Sequence, residues 1–423
     1  MNSILLMVPD PEVAIALQSM PLLELKRRVL RSIYLDRVWR DDKNIASHLV
    51  LQNHLCRQDL VGISLLPGGK FLIELAKGRL SLINLVAQKC VGSVPLPVED
   101  CLLDVLQPFV ALLSGHEVGF VLPFTQGNVF TVTWDTLHVY RVDTVSPDPG
   151  FDLVVDIKTP LGGRLKHVAV AGNMLALEYE CRHRNHEKFI VVRDIGSHKQ
   201  ATIARNNLID TIWTLQILSE RWLVVVDDAG MYVVDISSLD MIPCTGNFVE
   251  DLQHAQRAAM IQIHKDEWGG ASWGGAHPRT LVVSAPRYLG QPLFLGTARL
   301  YIVDVYSHTP SIPTLFMPFP LYPTKLLQYL KSSRKMGTRR SVSCPVNTWE
   351  PPRLVFCAAP NGDEFDQWKE EDFVISEVNL ASSIPPRHYA AAFTYDEVTG
   401  RMCIALGSEE AVGVVGLVVV DVG

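Results

Sequence analysis

A strand-rich unit that recurs along the chain, together with a near absence of helical periodicity after residue 60, predicts an all-β propeller of about seven blades. The clearest copy of the unit is residues 221–236 (RWLVVVDDAGMYVVDI), where two apolar runs flank an Asp-Asp-Ala-Gly turn. Val, Ile, Tyr and Trp favour a pleated strand and Gly favours the turn, so this segment is interpreted as a β-hairpin. Because a thin sheet cannot bury both faces alone, we expect the sheets to stack around an axis and leave only short edges exposed.

The composition excludes several functional classes. At 423 residues the chain is longer than a single compact core usually reaches, and it is 48% hydrophobic and 20% charged, as folded soluble proteins are. Its net charge of −7 argues against nucleic acid as a partner. The longest apolar run, residues 411–420, is shorter than the roughly 20 residues of a spanning helix, so no membrane association is predicted. The eight cysteines contain no Cys-x-x-Cys pair, so we predict no metal or other cofactor and expect a reducing compartment, cytoplasmic or nuclear.

The residues that precede the repeats are predicted to form an N-terminal tail (1–20) and a linker helix (21–45). Within the linker, residues 21–40 are predicted to form an amphipathic helix with Ser19 as its cap. Apolar residues recur there at helical spacing, opposite basic ones. The apolar positions are Leu22, Leu25, Val29, Ile33 and Leu35, and the basic positions are Lys26, Arg27, Arg31 and Arg37.

The second arm of each repeat carries a polar residue just before its last apolar residue. These arms begin at Leu82, Val139, Val191, Tyr232, Tyr301, Val374 and Val418. The polar positions are Asn84, Arg141, Asp194, Asp235, Asp304, Glu377 and Asp421. Because the position recurs in every copy, its role is predicted to be structural: it ends the strand and accepts N–H groups of the following turn.

The two ends of the predicted propeller domain (46–423) are expected to meet in one sheet. The last unit offers three apolar segments where a blade usually has four strands. We predict that residues 48–55 supply the fourth, outer strand and pair beside residues 417–422.

Two segments carry a resemblance to a known family. They are LKRRVLRSIYLDRVWR at Leu25 and LLPGGKFLIE at Leu65. This helix and Leu-Pro-Gly-Gly turn resemble the linker and first blade of fungal F-box proteins with a WD-repeat-like β-propeller. The resemblance implies a substrate receptor of a cullin-type ubiquitin ligase. Residues 1–20 are too few to hold an F-box, so the ligase adaptor is an expected partner only of a longer form of the chain.

Two segments are candidate partner-binding sites. Trp268 and Trp273 lie in a glycine-rich segment (WGGASWGG) and are candidates for stacking on a protein partner; the alternative is an inter-strand loop whose Trp side chains pack locally. Residues 325–340 are basic without an acid, and residues 363–372 are strongly acidic. The basic segment is a candidate anion-binding or nuclear-import segment, and the alternative for both runs is a solvated loop or hairpin tip. Its candidate residues are Arg334, Lys335, Arg339 and Arg340.

No catalytic or metal-binding residue is predicted. The match of Gly270-Ala-Ser272-Trp-Gly274 to a Gly-x-Ser-x-Gly nucleophile elbow lacks the helix that the chemistry needs, so chance explains it better. Cys181, His183 and His186 provide no fourth zinc ligand and are interpreted as a polar turn. The predicted function is therefore a non-catalytic protein-interaction platform. The alternative is a propeller-fold hydrolase or lyase with its site in the central channel, which would show converging polar groups with perturbed pKa values in one pocket.

Overall fold

A computed structural model describes most of the strands and one α-helix of this chain. With short gaps inside the longer ranges, it describes residues 21–40, 47–51, 59–96, 107–110, 117–124, 136–158, 163–205, 212–245, 252–264, 269–273, 279–285, 298–304, 314–319, 332–336, 340–345, 352–358, 374–380 and 384–422.

The described strands form seven antiparallel sheets of four or five strands, which we number I to VII along the chain. The chain divides into two compact units. The number of blades remains a prediction, and so do the domain boundaries.

Unit 1 comprises residues 1–99, 142–151 and 320–423 and contains the α-helix and sheets I, VI and VII. The helix α1 spans Leu22–Arg40. Sheet I consists of β2 (Leu60–Leu65), β3 (Phe71–Ala76), β4 (Arg79–Asn84) and β5 (Lys89–Pro95). Sheet VI consists of β23 (Ser332–Met336), β24 (Arg340–Pro345), β25 (Arg353–Ala358) and β26 (Val374–Asn379). Sheet VII consists of β27 (His388–Asp396), β28 (Arg401–Ser408), β29 (Val414–Val422) and β1 (Ser47–Leu51).

Unit 2 comprises residues 100–141 and 152–319 and contains sheets II to V, apart from the last two residues of β8. Sheet II consists of β6 (Gln107–Val110), β7 (Glu117–Phe124), β8 (Thr136–Asp143) and β9 (Asp152–Lys158). Sheet III consists of β10 (Gly163–Ala171), β11 (Met174–Cys181), β12 (Glu187–Asp194), β13 (Lys199–Arg205) and β17 (Ile242–Pro243). Sheet IV consists of β14 (Ile212–Leu218), β15 (Trp222–Asp227), β16 (Gly230–Asp235) and β18 (Ile261–His264). Sheet V consists of β19 (Gly269–Trp273), β20 (Arg279–Ala285), β21 (Ala298–Asp304) and β22 (Thr314–Phe319). Two short 3₁₀ helices span Ile236–Ser238 and Leu252–His254.

Strand β11 of unit 2 is buried on both faces because a neighbouring sheet covers each face. On β11, Leu177 and Tyr179 pack in one cluster with Val139 of sheet II. Ala176, on the opposite face of the same strand, packs in a second cluster with Leu215 of sheet IV. A strand buried on both faces needs a continuous apolar run rather than an alternating one, which explains the repeated arms of the sequence.

The outer strand of sheet VII comes from the beginning of the chain. β1 runs antiparallel to β29, with His48 opposite Asp421 and Leu49 opposite Val420. The strand predicted at residues 48–55 therefore lies at Ser47–Leu51 and pairs with the last strand. This pairing places residues from both ends of the described chain in one sheet.

The arms of sheet VI occupy different strand positions from those of other sheets. In sheets III and V the predicted arms form the second and third strands along the chain, and in sheet VII they form the two central strands. In sheet VI the arms at Arg353 and Val374 form the third strand and the fourth, edge strand. The difference arises because β23 and β24 form a hairpin ahead of them. The interpretation of residues 325–340 as a loop was therefore wrong for Ser332–Met336 and Arg340, which lie in strands.

Helix α1 packs on sheets VI and VII through two buried side chains, Leu35 and Val38. The helix was predicted correctly, but the prediction of which of its apolar residues are buried was only partly correct. Leu35 is buried as predicted, whereas Leu22 and Ile33 are exposed and Val38 takes their place in the core. Among the described helices, none is long and apolar enough to cross a membrane.

Candidate interaction surface

The outward side of α1 exposes an unusual number of large apolar side chains. In the described part of the chain, seven large apolar side chains are exposed, and five of them lie on this one helix. The other two are Val86 and Leu153. Single exposed apolar residues are ordinary, but a concentration of them marks an interaction site. The five are Leu22 (66% exposed), Leu23 (82%), Leu30 (66%), Ile33 (38%) and Tyr34 (46%).

Basic side chains share this side of the helix. Lys26, Arg27 and Arg37 are exposed, and the 3.6-residue repeat places them beside the exposed apolar residues. We call the resulting surface the α1 outer face. It consists of Leu22, Leu23, Lys26, Arg27, Leu30, Ile33, Tyr34 and Arg37.

The helix is held in place by a polar contact of Arg31 as well as by Leu35 and Val38. Arg31 Nη2 donates a hydrogen bond of 3.1 Å to the carbonyl oxygen of Thr399, in the turn between β27 and β28. Since this contact and the buried pair lie away from the outer face, the helix presents that face on a fixed support.

The same turn belongs to a cluster that joins sheets I and VII, which we call the closing junction (Gly69, Asp396, Thr399, Arg401 and Asp421). Arg401 forms a bidentate pair with the Asp421 carboxylate. Its Nε donates to Oδ1 at 2.6 Å, and its Nη2 donates to Oδ2 at 2.8 Å. Its Nη1 donates at 2.7 Å to the carbonyl oxygen of Gly69, in the Pro-Gly-Gly turn of sheet I. Thr399 Oγ1 donates to Asp396 Oδ2. The hydrogen bonds to Asp421 raise the pKa of Arg401, so they favour its charged form.

We expect Arg401→Ala to lower the free energy of unfolding by about 2–3 kcal/mol, because it leaves a partly buried carboxylate and a carbonyl without their donor. Arg401→Lys keeps the charge but loses the bidentate geometry. Its free energy of unfolding should therefore lie between those of the unaltered chain and Arg401→Ala. The measurement is the urea unfolding midpoint.

Arg387 and Glu410 provide a matched control for this prediction. Their ion pair is as short, at 2.6 Å, but both side chains are about two thirds exposed. Arg387→Ala should therefore change stability little. Equal losses for the two alanine variants would contradict the importance of the closing junction.

The predicted tryptophan site does not form a loop. Gly269–Trp273 is strand β19, in which Trp273 lies opposite Leu281 and Ser272 lies opposite Val282. The interpretation of this segment as an inter-strand loop was therefore wrong for residues 269–273. Trp268 lies outside the described residues.

The predicted basic site is divided between two strands. Arg334 and Lys335 lie in β23, opposite Ser343 and Val342, whereas Arg340 begins β24. Arg339 lies outside the described residues, as does the acidic segment 363–372. The backbone thus places Arg334 and Lys335 together on the first strand of sheet VI, and their role as binding residues remains a prediction.

The strand position of Ser272 is incompatible with a nucleophile elbow, which requires a strand-to-helix turn. Cys181 ends β11, while His183 and His186 lie outside the described residues. Within the ranges that the structure describes, no three His, Cys, Asp or Glu side chains are grouped as a metal ion would require. Burial raises the pKa of the Cys344 thiol to about 12, so this cysteine is an inert part of the core.

The recurrent polar position has two different structural roles. Asn84 accepts hydrogen bonds of 3.0 Å from the backbone N–H groups of Val86 and Ala87, and Asp194 and Asp235 accept the equivalent turn N–H groups. These three confirm the predicted role of ending the strand. Glu377 and Asp421 instead form ion pairs with Arg353 and Arg401 across the strand pair, a role that the repeat pattern did not indicate.

One polar group in unit 2 resembles a catalytic arrangement in its chemistry. His138 Nδ1 lies 3.2 Å from Tyr140 Oη, and His138 Nε2 lies 3.3 Å from Asp156 Oδ1. The His138 and Tyr140 rings meet edge to face, and both residues are buried. A substrate cannot reach the imidazole of such a group, so the arrangement supports the packing of β8 on β9 rather than a reaction. The sequence did not single out these residues.

This group makes stability depend on pH. Burial lowers the pKa of His138, with Lys158 adding to the effect and Asp156 opposing it. The unfolded chain therefore takes up a proton at a higher pH than the folded protein does, and stability is lost as the pH falls below about 6.5. We expect His138→Gln to lose less stability than the unaltered chain between pH 7.5 and pH 5 in urea unfolding.

Lys158→Gln tests the cause of the shift. Removing the neighbouring cation makes protonation of the folded protein easier, so this variant should also lose less stability in acid. If both variants keep the full pH dependence, His138 is not its origin.

No family model matches the chain, and no curated protein matches it by sequence. Its fold is similar to several solved structures at 8–10% sequence identity. The Myceliophteria thermophila Cps50 (Swd1) β-propeller domain has a TM-score of 0.50 and 8% identity, covering 89% of this chain and 100% of that chain. The WD40 domain of SCAP from fission yeast has a TM-score of 0.40 and 10% identity, covering 87% and 85%. A chain of the Mitotic Checkpoint Complex has a TM-score of 0.44 and 8% identity, covering 90% and 97%. This chain therefore folds as a β-propeller.

Proposed function

We propose that this protein is a non-catalytic protein-interaction platform. The observation that carries the proposal is the α1 outer face, where five large apolar side chains are exposed on a helix that Leu35 and Val38 anchor to the core. Water contact with so much apolar surface is unfavourable, and burying it against a partner removes that cost. Trp268, Trp273, Arg334, Lys335, Arg339 and Arg340 are proposed as further partner contacts on the strength of their residue types alone.

The enzymatic alternative, a hydrolase or lyase with a site in the central channel, has less support. Of the polar groups in the described ranges, the one that comes nearest to catalytic chemistry is His138 with Tyr140 and Asp156, and its imidazole is buried. Pocket walls that converge on an accessible nucleophile or base would favour the alternative.

A finer form of the proposal is a substrate receptor of a cullin-type ubiquitin ligase, acting in the cytoplasm or nucleus. Its support is the resemblance of the helix at Leu25 and the Leu-Pro-Gly-Gly turn at Leu65 to the linker and first blade of F-box proteins. In this form the propeller holds the substrate, and a longer form of the chain binds the ligase adaptor.

The platform is tested by quantitative affinity capture from native extract with mass spectrometry. The bait is the full chain, and the variant Leu23→Ser/Leu30→Ser removes two of the most exposed leucines. Val86→Ser, at a side chain that is 72% exposed outside α1, is the matched control. We expect proteins that are enriched on the full chain and on the control to be lost from the double variant.

If the full chain, the double variant and the Val86→Ser control capture the same proteins, the proposal that partners bind at the α1 outer face is contradicted. A bait that begins at residue 46 removes the tail and linker helix together and should lose the same partners. Recovery of ligase adaptor subunits on a longer form would support the finer proposal, and their absence from that form would contradict it.

A further inference from the structure

The composition of the α1 outer face indicates the chemistry of its partner. Every exposed position that the structure describes within α1 is Leu, Ile, Tyr, Lys or Arg. None of these exposed residues is acidic, and none of them is Ser, Thr, Asn or Gln. A partner that covers this face must therefore offer apolar contacts and negative charge together.

The spacing of the apolar residues indicates the shape of the partner. Leu23 and Leu30 are two helical turns apart, with Tyr34 one turn further on. Such a row is the seam on which a second helix packs its own apolar residues, and flanking charges at the edges of the seam set the choice of partner. Lys26 and Arg37 lie beside the row, where acidic residues of a partner helix would reach them.

Charge argues against a second copy of this chain as the occupant. The helix contains six basic and two acidic residues, although the chain as a whole has a net charge of −7. Two α1 outer faces brought together would place like charges in contact, which is unfavourable.

The mixture of residues also argues against a membrane surface. A helix that lies in a membrane interface separates an uninterrupted apolar face from a basic face. On α1 the basic Lys26 and Arg37 lie within the apolar face, between Ile33 and Leu30 around the helix axis. The side of α1 that holds Leu35 and Val38 faces the protein core, so it is not available to a membrane.

We propose that the α1 outer face binds an acidic amphipathic helix of a partner protein, with leucine-type residues on the row formed by Leu23 and Leu30 and carboxylates on Lys26, Arg27 and Arg37. This inference rests on the proposed function, because it specifies the partner class of the same surface. It predicts binding that is strong at low salt and weakens as the salt concentration rises, since exposed charges contribute part of the affinity.

The experiment titrates a fluorescent peptide of three heptads, Leu-Ala-Glu-Leu-Glu-Glu-Ala, with the full chain and records anisotropy. A peptide with Lys in place of Glu and one with Ser in place of Leu are the controls. We expect only the acidic, leucine-containing peptide to bind. Leu23→Ser/Leu30→Ser and Lys26→Glu/Arg37→Glu should each weaken its binding at least about tenfold, the effect of about 1.4 kcal/mol. Val86→Ser should leave binding unchanged.

The inference is overturned if the acidic peptide does not bind, if both double variants retain its binding, or if the chain binds phosphatidylserine vesicles alone. Concentration-dependent dimerisation that Leu23→Ser/Leu30→Ser abolishes would assign the face to a second copy and also overturn it. The changed side chains are exposed, so unaltered thermal unfolding of the variants shows that they still fold. If capture from extract depends on Leu23 and Leu30 but the acidic peptide does not bind, the partner class is wrong while the platform stands.

Discussion

Gly69→Ala is expected to cause one of the largest losses of stability of any single methyl group added to this protein. Gly69 has a φ of +63°, a backbone conformation that residues with a β-carbon rarely adopt. A β-carbon at this position would lie 2.5 Å from Thr399 Oγ1. The backbone conformation costs about 1–2 kcal/mol in a residue with a β-carbon. Forcing the Thr399 side chain aside adds about 1–3 kcal/mol, because it is held by hydrogen bonds to Asp396 and Arg401. Urea unfolding measures the sum.

Two other glycines separate these contributions. Gly68 (φ +87°) and Gly78 (φ +66°) have the same left-handed backbone, but a β-carbon at either would meet no atom within 4 Å. Gly68→Ala and Gly78→Ala should therefore show only the backbone contribution. In a background of Thr399→Ala, the additional loss at Gly69 should largely disappear, since the contacting hydroxyl is gone. If Gly69→Ala costs no more than Gly68→Ala, the closing junction is not tightly packed.

Leu35→Ala is expected to destabilise the protein by about 2–5 kcal/mol, the usual range for truncating a fully buried leucine. Leu35 is completely buried in a cluster with residues of sheets VI and VII, and it is one of the two described buried side chains of α1, with Val38. Unfolding in urea measures the loss of stability. Limited digestion with trypsin measures release of the helix. Cleavage after Lys26, Arg27, Arg31 or Arg37 requires the helix to unfold locally, and this is easier once α1 leaves the core.

Leu30→Ala is the matched control, with the same change of residue on the same helix at a side chain that is 66% exposed. It should alter stability by less than about 0.5 kcal/mol and leave the digestion rate unchanged. The two variants also separate support from binding. Leu30→Ala should weaken partner binding while the helix stays docked, whereas Leu35→Ala should weaken binding because the outer face loses its fixed position.

Much of the fold was predictable because its signals are local. The repeated arms are apolar on both faces, and this composition is already visible in a few consecutive residues such as YVVDI at Tyr232. The turn residues that follow Asn84, Asp194 and Asp235 obey local hydrogen-bonding rules. The outer strand of sheet VII was predictable from a count of strands, because an apolar segment without a partner at one end matched a missing strand at the other.

Two of the described strands were interpreted as loops, and the reason is their composition. β19 (GGASW) and β23 (SSRKM) consist of residues with little preference for strands, so each was interpreted as a loop. Their backbone groups nevertheless pair with β20 and β24. Strand propensity depends on the neighbouring strand, which a single sequence does not show.

The candidate surface was the part that sequence reasoning missed. A helix as rich in Leu and Arg as α1 has more than one apolar stripe, and helical spacing alone selected a face containing Leu22, Leu25 and Ile33. In the folded protein the stripe through Leu35 and Val38 is buried, so Leu22, Leu23, Leu30, Ile33 and Tyr34 remain outside. The sequence does contain one signal for this surface, because basic residues are interleaved with leucines on one side of the helix.

The sequence by itself determined that this chain forms antiparallel strands, that an amphipathic helix precedes them, and that its first strand completes its last sheet, because each of these follows from local residue preferences or from pairing. Only the tertiary structure decided which side of the helix is buried, which turn holds Gly69 against Thr399, and which side chains are left for a partner. Those outcomes depend on contacts between segments far apart in the chain. Local residue preferences do not distinguish between the alternatives, and the packing of one sheet against its neighbour does.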